Sequence, residues 1–349
     1  MNIVPLLLMV TTASAIWPLP QKSSVGSSAI TVIPSSSFFT VAKTGCNTLD
    51  QAFLRYTQLT FPHVTKTSPT SATLNGLIVS VIDLDESHPQ LRTNESYSLT
   101  IPENGGSALC QSQTIYGAMH CLETFSQLVS FSFDDESYFV NDAPVSIADF
   151  PRFPHRGLMV DTARHFETLA SLRHIIDSLP YSKINVLHWH MVDTQSFPFQ
   201  SKTYPKLWDG AYSEVEKFTQ NDIATIVEYA RLRGIRVMVE FDVPGHAASW
   251  CKGYPEICPS TTCLQPLNVA NNKTFDVIDG ILSECTGRKT STKNSPSGLF
   301  PDDFIHLGGD EVDTSCWTKT PSVNKWLTTQ NMTGDRYVHT SKKKVVHIA

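Results

Sequence analysis

Phe304-Ile305-His306-Leu307-Gly308-Gly309-Asp310-Glu311-Val312 is the stretch from which the rest of the chain is read. Phe304, Ile305 and Leu307 surround His306 in the pattern of a short buried strand. Gly308 and Gly309 then let the backbone turn tightly, because glycine has no Cβ to clash. Two adjacent carboxylates, Asp310 and Glu311, stand directly after the turn. Neighbouring side chains at a strand end point in different directions, so the two acids can do different jobs on one substrate. Acetal hydrolysis needs such a pair: one acid protonates the leaving oxygen while the other handles the developing positive charge. An arbitrary Asp-Glu pair is usually a solvated turn. The apolar strand and Gly-Gly turn ahead of this one favour a catalytic reading.

The same strand-then-polar-end pattern recurs upstream. Gly157–Val160 reads as a strand ending in Asp161-Thr162-Ala163-Arg164-His165, with a helix over Leu169–Leu179. Ile184–His190 is a second strand, ending in Met191-Val192-Asp193; a long polar and aromatic loop and a helix over Asn221–Arg233 follow. Ile235–Phe241 is a third, ending in Asp242-Val243-Pro244-Gly245-His246, then a short helix over Thr274–Leu282. Phe304–Leu307 is the fourth strand. Alternating strands and helices predict a parallel sheet or barrel. Each strand ends in chemically capable residues: Arg164, then Asp193, then Asp242 with His246, then Asp310 with Glu311. In a (β/α) barrel the active site forms at these carboxyl ends.

Residues 16–150 read differently, as a small α+β domain. Ala29–Ile33, Leu77–Ile82 and Tyr97–Ile101 are predicted strands bounded by Ser, Pro, Asn or Gly. Leu49–Leu59 and Ile115–Leu128 carry apolar residues at helical spacing, with Ala118, Cys121, Leu122 and Phe125 on one face. Cys46 and Cys110 precede these two helices and could be bridged. No catalytic constellation stands out here. Pro151 and Pro154 make a stiff entry into the second domain, 151–349.

At 349 residues, with 41% hydrophobic and 17% charged residues, the chain is an ordinary globular protein of about two domains. A net charge of −6 and the lack of a basic stripe argue against a nucleic-acid partner. Lys342-Lys343-Lys344 reads as a solvated helix face. An apolar run over Ile3–Val10 followed by Ala13-Ser14-Ala15 predicts a signal peptide at 1–15, too short to span a bilayer. No later stretch reads as a membrane span. N-x-S/T sequons at Asn94, Asn272 and Asn331 and the eight cysteines fit the secretory pathway, with a lysosomal or extracellular destination.

Three motifs admit rival readings. His188-Trp189-His190 on a strand puts both imidazoles on one side, as in zinc hydrolases, with His246 and His306 also available. Arg164 beside the site disfavours a divalent cation, so hydrogen-bonded core or substrate-contacting histidines are expected, with no metal and no cofactor. Gly308-Gly309-Asp310-Glu311 shares letters with the signature of cyclic-dinucleotide synthases, but Val312 follows and the context is strand-to-helix. Val243-Pro244-Gly245-His246 is a rigid turn, one that holds His246 near the acids.

The chain resembles the β-N-acetylhexosaminidases of glycoside hydrolase family 20, of the eukaryotic lysosomal and secreted type. The stretches that carry the resemblance are Gly157–His165 (GLMVDTARH), His188–Asp193 (HWHMVD), Glu240–His246 (EFDVPGH) and His306–Val312 (HLGGDEV), with Cys46–Asp50 and Leu122–Leu128 in the first domain. The resemblance implies a small α+β domain followed by the first half of a (β/α)8 barrel. It implies hydrolysis of terminal non-reducing N-acetylhexosamine from glycoproteins, glycolipids or chitin oligosaccharides. It also implies substrate-assisted retention, in which the substrate's own acetamido oxygen is the nucleophile. By the same resemblance Glu311 is the general acid and then the base, and Asp310 polarises the acetamido N–H. Arg164 binds sugar hydroxyls, Asp193 and His246 support Glu311, and Asp242 is a lesser contact. Cys46 pairs with Cys110, and Cys316 with Cys263 or Cys258, leaving Cys121, Cys251 and Cys285 unassigned. The resemblance implies a homodimer as one assembly, formed in the relatives through the second half of the barrel, and the sequence does not decide it.

Two features depart from the family pattern. Thr194 stands where many relatives carry a second acid. A complete barrel takes about 250 residues, and only four strands are read before the chain ends at Ala349. The relatives' tryptophan wall and further acetamido contacts belong to the second half. A rival reading follows: an inactive glycan-binding or partner-capping fragment that keeps the first half of the fold.

Overall fold

The computed structural model describes residues 16–42, 45–66, 72–287 and 298–334. The expected signal peptide and the Lys342–Lys344 run lie outside these residues. The chain divides into two compact units with the main break between Arg152 and Phe153; Ser87–Arg92 group with the second unit and Tyr181–Lys183 with the first.

The first unit is α+β. Its strands are β1 (Lys22–Val32), β2 (Phe39–Val41), β3 (Thr73–Asp83), β4 (Tyr97–Ile101), β5 (Gly106–Thr114), β6 (Val129–Ser132) and β7 (Ser137–Asp149). They form one mixed sheet in the order β1-β3-β5-β4-β7-β6, with β2 beside β3 and a further antiparallel pairing of β1 with β7. Helices α1 (Asn47–Thr60) and α2 (Ile115–Leu128) supply the apolar cover. Ala118, Cys121, Leu122 and Phe125 of α2 are all fully buried, as their spacing predicts. Helix α1 lacks a side-chain cap of its own. Glu86 serves instead, accepting from the N–H of Asn47 (3.2 Å) and of Thr48 (2.8 Å) and from the Thr48 hydroxyl.

The cysteine pairing in this unit corrects the expectation. Cys110 is bonded to Cys121, and Cys46 is a buried thiol. Cys110 in β5 and Cys121 in α2 have Cα atoms 6.4 Å apart, within bridging range. Cys46 sits at the start of α1, and burial pushes its thiol up.

The second unit is parallel α/β. Strands β8 (Gly157–Asp161), β9 (Val186–Val192) and β10 (Arg236–Phe241) form a parallel sheet in the order β10-β9-β8, with Asp161 level with His190 and His190 level with Glu240. Every residue of β10 is buried, as expected of a parallel strand covered on both faces. Helix α3 (Leu169–Ser178) follows β8 and buries Leu172 and Ile176; complete burial of such a side chain contributes about 1.5–3 kcal/mol. Helix α4 (Gln220–Arg231) follows β9 and opens on a capping box, Thr219 and Asp222 bonding each other's N–H. After β10 come α5 (Trp250–Gly253), α6 (Asn272–Thr286), α7 (Ser315–Lys319) and α8 (Pro321–Thr329). Cys251 pairs with Cys258, and Cys263 with Cys316.

The expected fourth strand is shorter than its sequence suggests. His306 bridges Glu240 in parallel: its N–H donates to Val239 O (2.9 Å) and its carbonyl accepts from Phe241 N–H (3.1 Å). The segment cannot lengthen at its start, because the N–H of Phe304 donates to Asp302 Oδ1 at 2.8 Å. It cannot lengthen far at its end, because Gly308 and Gly309 turn away at φ +56° and +91°. No helix among the described residues is long and apolar enough to cross a membrane.

Candidate active site

The polar residues at the strand ends are tied to one another, starting at β8. Asp161 Oδ1 accepts from the N–H of Ala163 (2.9 Å) and Arg164 (3.0 Å), and Oδ2 holds Arg164 Nη1 at 2.6 Å. Arg164 Nη2 reaches across to Asp193 Oδ2 at 2.9 Å. The planar guanidinium thus spans two strand ends, a geometry a lysine lacks. Burial alone would push Asp161 up, but the Arg164 N–H and guanidinium outweigh it and hold the carboxyl below its usual range. Burial works against the Arg164 charge as well, and Asp161 and Asp193 overcome it.

Behind Asp193, which is 1% exposed, lies His190. Its Nε2 is 2.8 Å from Asp193 Oδ2 and its Nδ1 2.9 Å from Glu240 Oε2. Burial disfavours an imidazolium here, but the two carboxylates raise His190 to about 10. Glu240 also meets His188 Nε2 at 2.6 Å and His306 Nδ1 at 2.9 Å. Its burial would raise the carboxyl, and the bonded His188 and His190 pull it well below the usual range. The two imidazoles of the H-x-H motif do share a side, facing one carboxylate.

His188, Glu240 and His306 offer donor atoms within 4.8 Å of one another, as do Asp193, Asp242 and His246. In the first group both Glu240 oxygens are engaged by imidazoles. In the second the Arg164 guanidinium lies on Asp193. Hydrogen bonding accounts for both groups, and a cation beside Arg164 and His190 would meet like charge.

The acids themselves are set by the end of β10. Asp242 Oδ2 is 2.5 Å from His246 Nδ1, and Oδ1 accepts the N–H of Gly309 at 2.6 Å. A Cβ on Gly308 would run into the Asp242 carboxylate, so glycine is required there for space as well as for its positive φ. His246 Nε2 lies 3.5 Å from Glu311 Oε2, and Nδ1 lies 4.0 Å from Asp310 Oδ1. The acid side chains are open to solvent, 69% exposed for Asp310 and 80% for Glu311. Burial raises Asp242, opposed by Gly309 and His246. Burial would lower His246, but the bond to Asp242 raises it. His246 and Glu311 are both non-glycine residues at positive φ, +49° and +48°. Such strain, on the order of 1–3 kcal/mol each, collects where geometry serves function.

All six residues singled out from the sequence therefore connect: Arg164 to Asp193, Asp193 within donor range of Asp242 and His246, and His246 to Asp310 and Glu311. Asp242 is 1% exposed, so it holds the turn and His246 rather than standing open to a ligand. Sequence reasoning passes over Asp161, Glu240 and Gln265. Thr194, the departure from the family pattern, donates to Gln265 Oε1 at 2.7 Å. The same oxygen accepts the N–H of Ala247 and Ala248, tying the loop after β9 to the one bearing His246.

Residues 153–347 match the description Glycosyl hydrolase family 20, catalytic domain. The chain belongs to glycosyl hydrolase family 20. Residues 16–128 match a second description, beta-acetyl hexosaminidase like. This family 20 chain is 41% identical over 333 residues to beta-hexosaminidase 1 of Arabidopsis thaliana, a match covering 91% of the chain and 60% of that relative. It is 40% identical over 338 residues to the beta-hexosaminidase alpha subunit of Bos taurus, covering 90% and 60%. Among solved structures it is similar to the chitobiase of Flavobacterium johnsoniae, at 26% identity and a TM-score of 0.78, covering 95% of this chain and 50% of that one. The chain thus spans about 60% of the length of these two curated relatives.

Proposed function

We propose that this family 20 chain carries the acid–base apparatus of a β-N-acetylhexosaminidase, acting on terminal non-reducing N-acetylglucosamine or N-acetylgalactosamine. The observation that supports this most is the line Asp242–His246–Glu311, with Asp310 beside it after the same glycine turn. Glu311 protonates the leaving oxygen as the substrate's acetamido oxygen attacks the anomeric carbon. Asp310 accepts the acetamido N–H and so favours the cyclic intermediate. Glu311, now a carboxylate, takes a proton from water, which opens the ring at the same carbon; two inversions give net retention. The imidazole of His246 faces Glu311 through both steps, and its other nitrogen is fixed by Asp242. Arg164, locked by Asp161 and Asp193, presents its remaining donors to sugar hydroxyls.

Asn94, Asn272 and Asn331 are exposed and would accept N-glycans in the secretory pathway, with a lysosomal or extracellular destination. The oligomer proposed is a homodimer. The test is release of nitrophenol from its N-acetyl-β-glucosaminide by the chain expressed in a secretory host, beside Glu311→Gln. A general acid is worth roughly 10²–10⁴-fold, so the variant should lose about that much turnover. Folded protein that binds the sugar without turnover would overturn the enzymatic reading in favour of a glycan-binding one.

A further inference from the structure

Glu240 takes no part in the reaction above, yet three imidazoles converge on it. Its Oε2 meets His188 and His190, and its Oε1 lies 2.9 Å from His306 Nδ1, the nitrogen toward which the Gly308 N–H also points at 3.1 Å. These partners lead to different parts of the site. His190 continues to Asp193, and Asp193 to Arg164, so one branch ends at the guanidinium that faces the sugar. His306 opens the segment that turns at Gly308-Gly309 into Asp310 and Glu311, so the other branch ends at the acids. Glu240 is 4% exposed and sits level with His190 in the sheet and with His306 in the bridge. A buried carboxylate satisfied by several charged or polar donors fixes their relative placement, because each donor loses its partner if it moves.

We propose that Glu240 is a positioning residue for the glycosidase site, holding Arg164 through His190 and Asp193, and holding the Gly308–Glu311 turn through His306. This rests on the hexosaminidase reading of the site. Asp242, two residues on, pins the same turn from the other end through the Gly309 N–H. The two acids of the third strand end thus act as a template for the catalytic segment.

The experiment compares the full chain with Glu240→Gln and His306→Gln, the latter at a half-open position. Steady-state hydrolysis of nitrophenyl N-acetyl-β-glucosaminide is measured together with the amide signals of Gly308 and Gly309 and the Arg164 side-chain N–H by NMR. Small displacements of reacting groups cost on the order of 10²-fold. Glu240→Gln should lower kcat and raise KM, reducing kcat/KM by about that factor, and should shift both sets of signals. His306→Gln should lower kcat with KM nearly unchanged and shift the glycine signals, the Gly308 N–H being its direct partner, but not the Arg164 signals. A folded Glu240→Gln chain with wild-type kinetics, or with both sets of signals unmoved, overturns the proposal. If the wild-type chain shows no turnover, the hexosaminidase reading fails, and the NMR signals alone still decide what Glu240 holds.

Discussion

Asp242 Oδ2 lies 2.5 Å from Nδ1 of His246, which leaves the opposite ring nitrogen facing Glu311 at 3.5 Å. The carboxylate therefore chooses which nitrogen carries the proton and how the ring is turned. Asp242→Asn keeps an acceptor for Gly309 but offers His246 an amide that can donate as well as accept. We expect kcat to fall by roughly 10²–10³-fold with KM changed little, since a misoriented His246 no longer supports Glu311, which supplies the acid–base contribution. Steady-state hydrolysis measures both constants. An unchanged kcat would mean His246 does not act on Glu311.

Arg164→Lys tests the guanidinium fork. One ammonium cannot reach Asp161 and Asp193 together as Nη1 and Nη2 do, at 2.6 and 2.9 Å. The substitution should raise KM by about tenfold or more, with a smaller effect on kcat, because the sugar-facing donors are lost from a clamp made before catalysis. Equal losses in kcat and kcat/KM would place Arg164 in the transition state instead.

The parallel unit is legible because its strands are largely apolar runs that end in clusters of polar residues, so both their course and their functional ends are written in the sequence. The first unit is less so. Gly106–Thr114 reads GSALCQSQT, and β7 contains Pro144 and Asp142 at φ +59°, residues expected of turns. Both are strands because neighbours on each side pair with them. The fourth strand is overread for a local reason, the capture of the Phe304 N–H by Asp302. At the site, Asp193, Asp242, His246 and the two acids announce themselves at strand ends. Glu240 does not, because it lies inside an apolar strand. Its signal is the alternation of Glu240 with Asp242 on one strand and of His188 with His190 on the next, which sends all four side chains to one face.

Stability should depend on pH through the Glu240 cluster. Glu240 is depressed in the folded chain, so its contribution is present above the ordinary glutamate value of about 4.3 and is lost as pH falls below it. His190 is raised to about 10, so its contribution is full below the ordinary histidine value of about 6.5 and is lost as pH rises toward 10. The urea midpoint should therefore peak between about pH 4.5 and 6.5 and decline on both sides. Glu240→Gln should remove the acid limb and weaken the alkaline one, since Asp193 still raises His190. A variant that retains the wild-type pH profile would show that other groups govern it.

Gly308→Ala probes the turn before the acids. Its φ of +56° strains any residue with a Cβ, and the added methyl meets the Asp242 carboxylate. We expect a loss of about 1–3 kcal/mol by urea unfolding, together with lowered activity, because Asp242 must move and release the Gly309 N–H. Gly45, at φ +103° with nothing near its would-be Cβ, is the control: Gly45→Ala carries the backbone strain without the collision and should leave activity intact.

The disulfides make a prediction that separates the pairing in the structure from the one expected from the sequence in the first unit. Peptide mapping of unreduced protein should recover Cys110 linked to Cys121 and Cys46 as a thiol, not Cys46 linked to Cys110. In the second unit Cys263 and Cys316 close a separation of 53 residues that spans α6 and the whole catalytic segment. Chain-entropy reasoning assigns about 4 kcal/mol to a loop of that size, lowered by any structure left in the unfolded chain. Replacing both with serine should therefore cost roughly 2–4 kcal/mol in a denaturant series. Cys316 lies just beyond Asp310 and Glu311, on α7, so the acids should lose order along with it. A fall in kcat larger than the fall in folded fraction is the expected result. Activity that tracks the folded fraction alone would confine the bridge to a stabilising role.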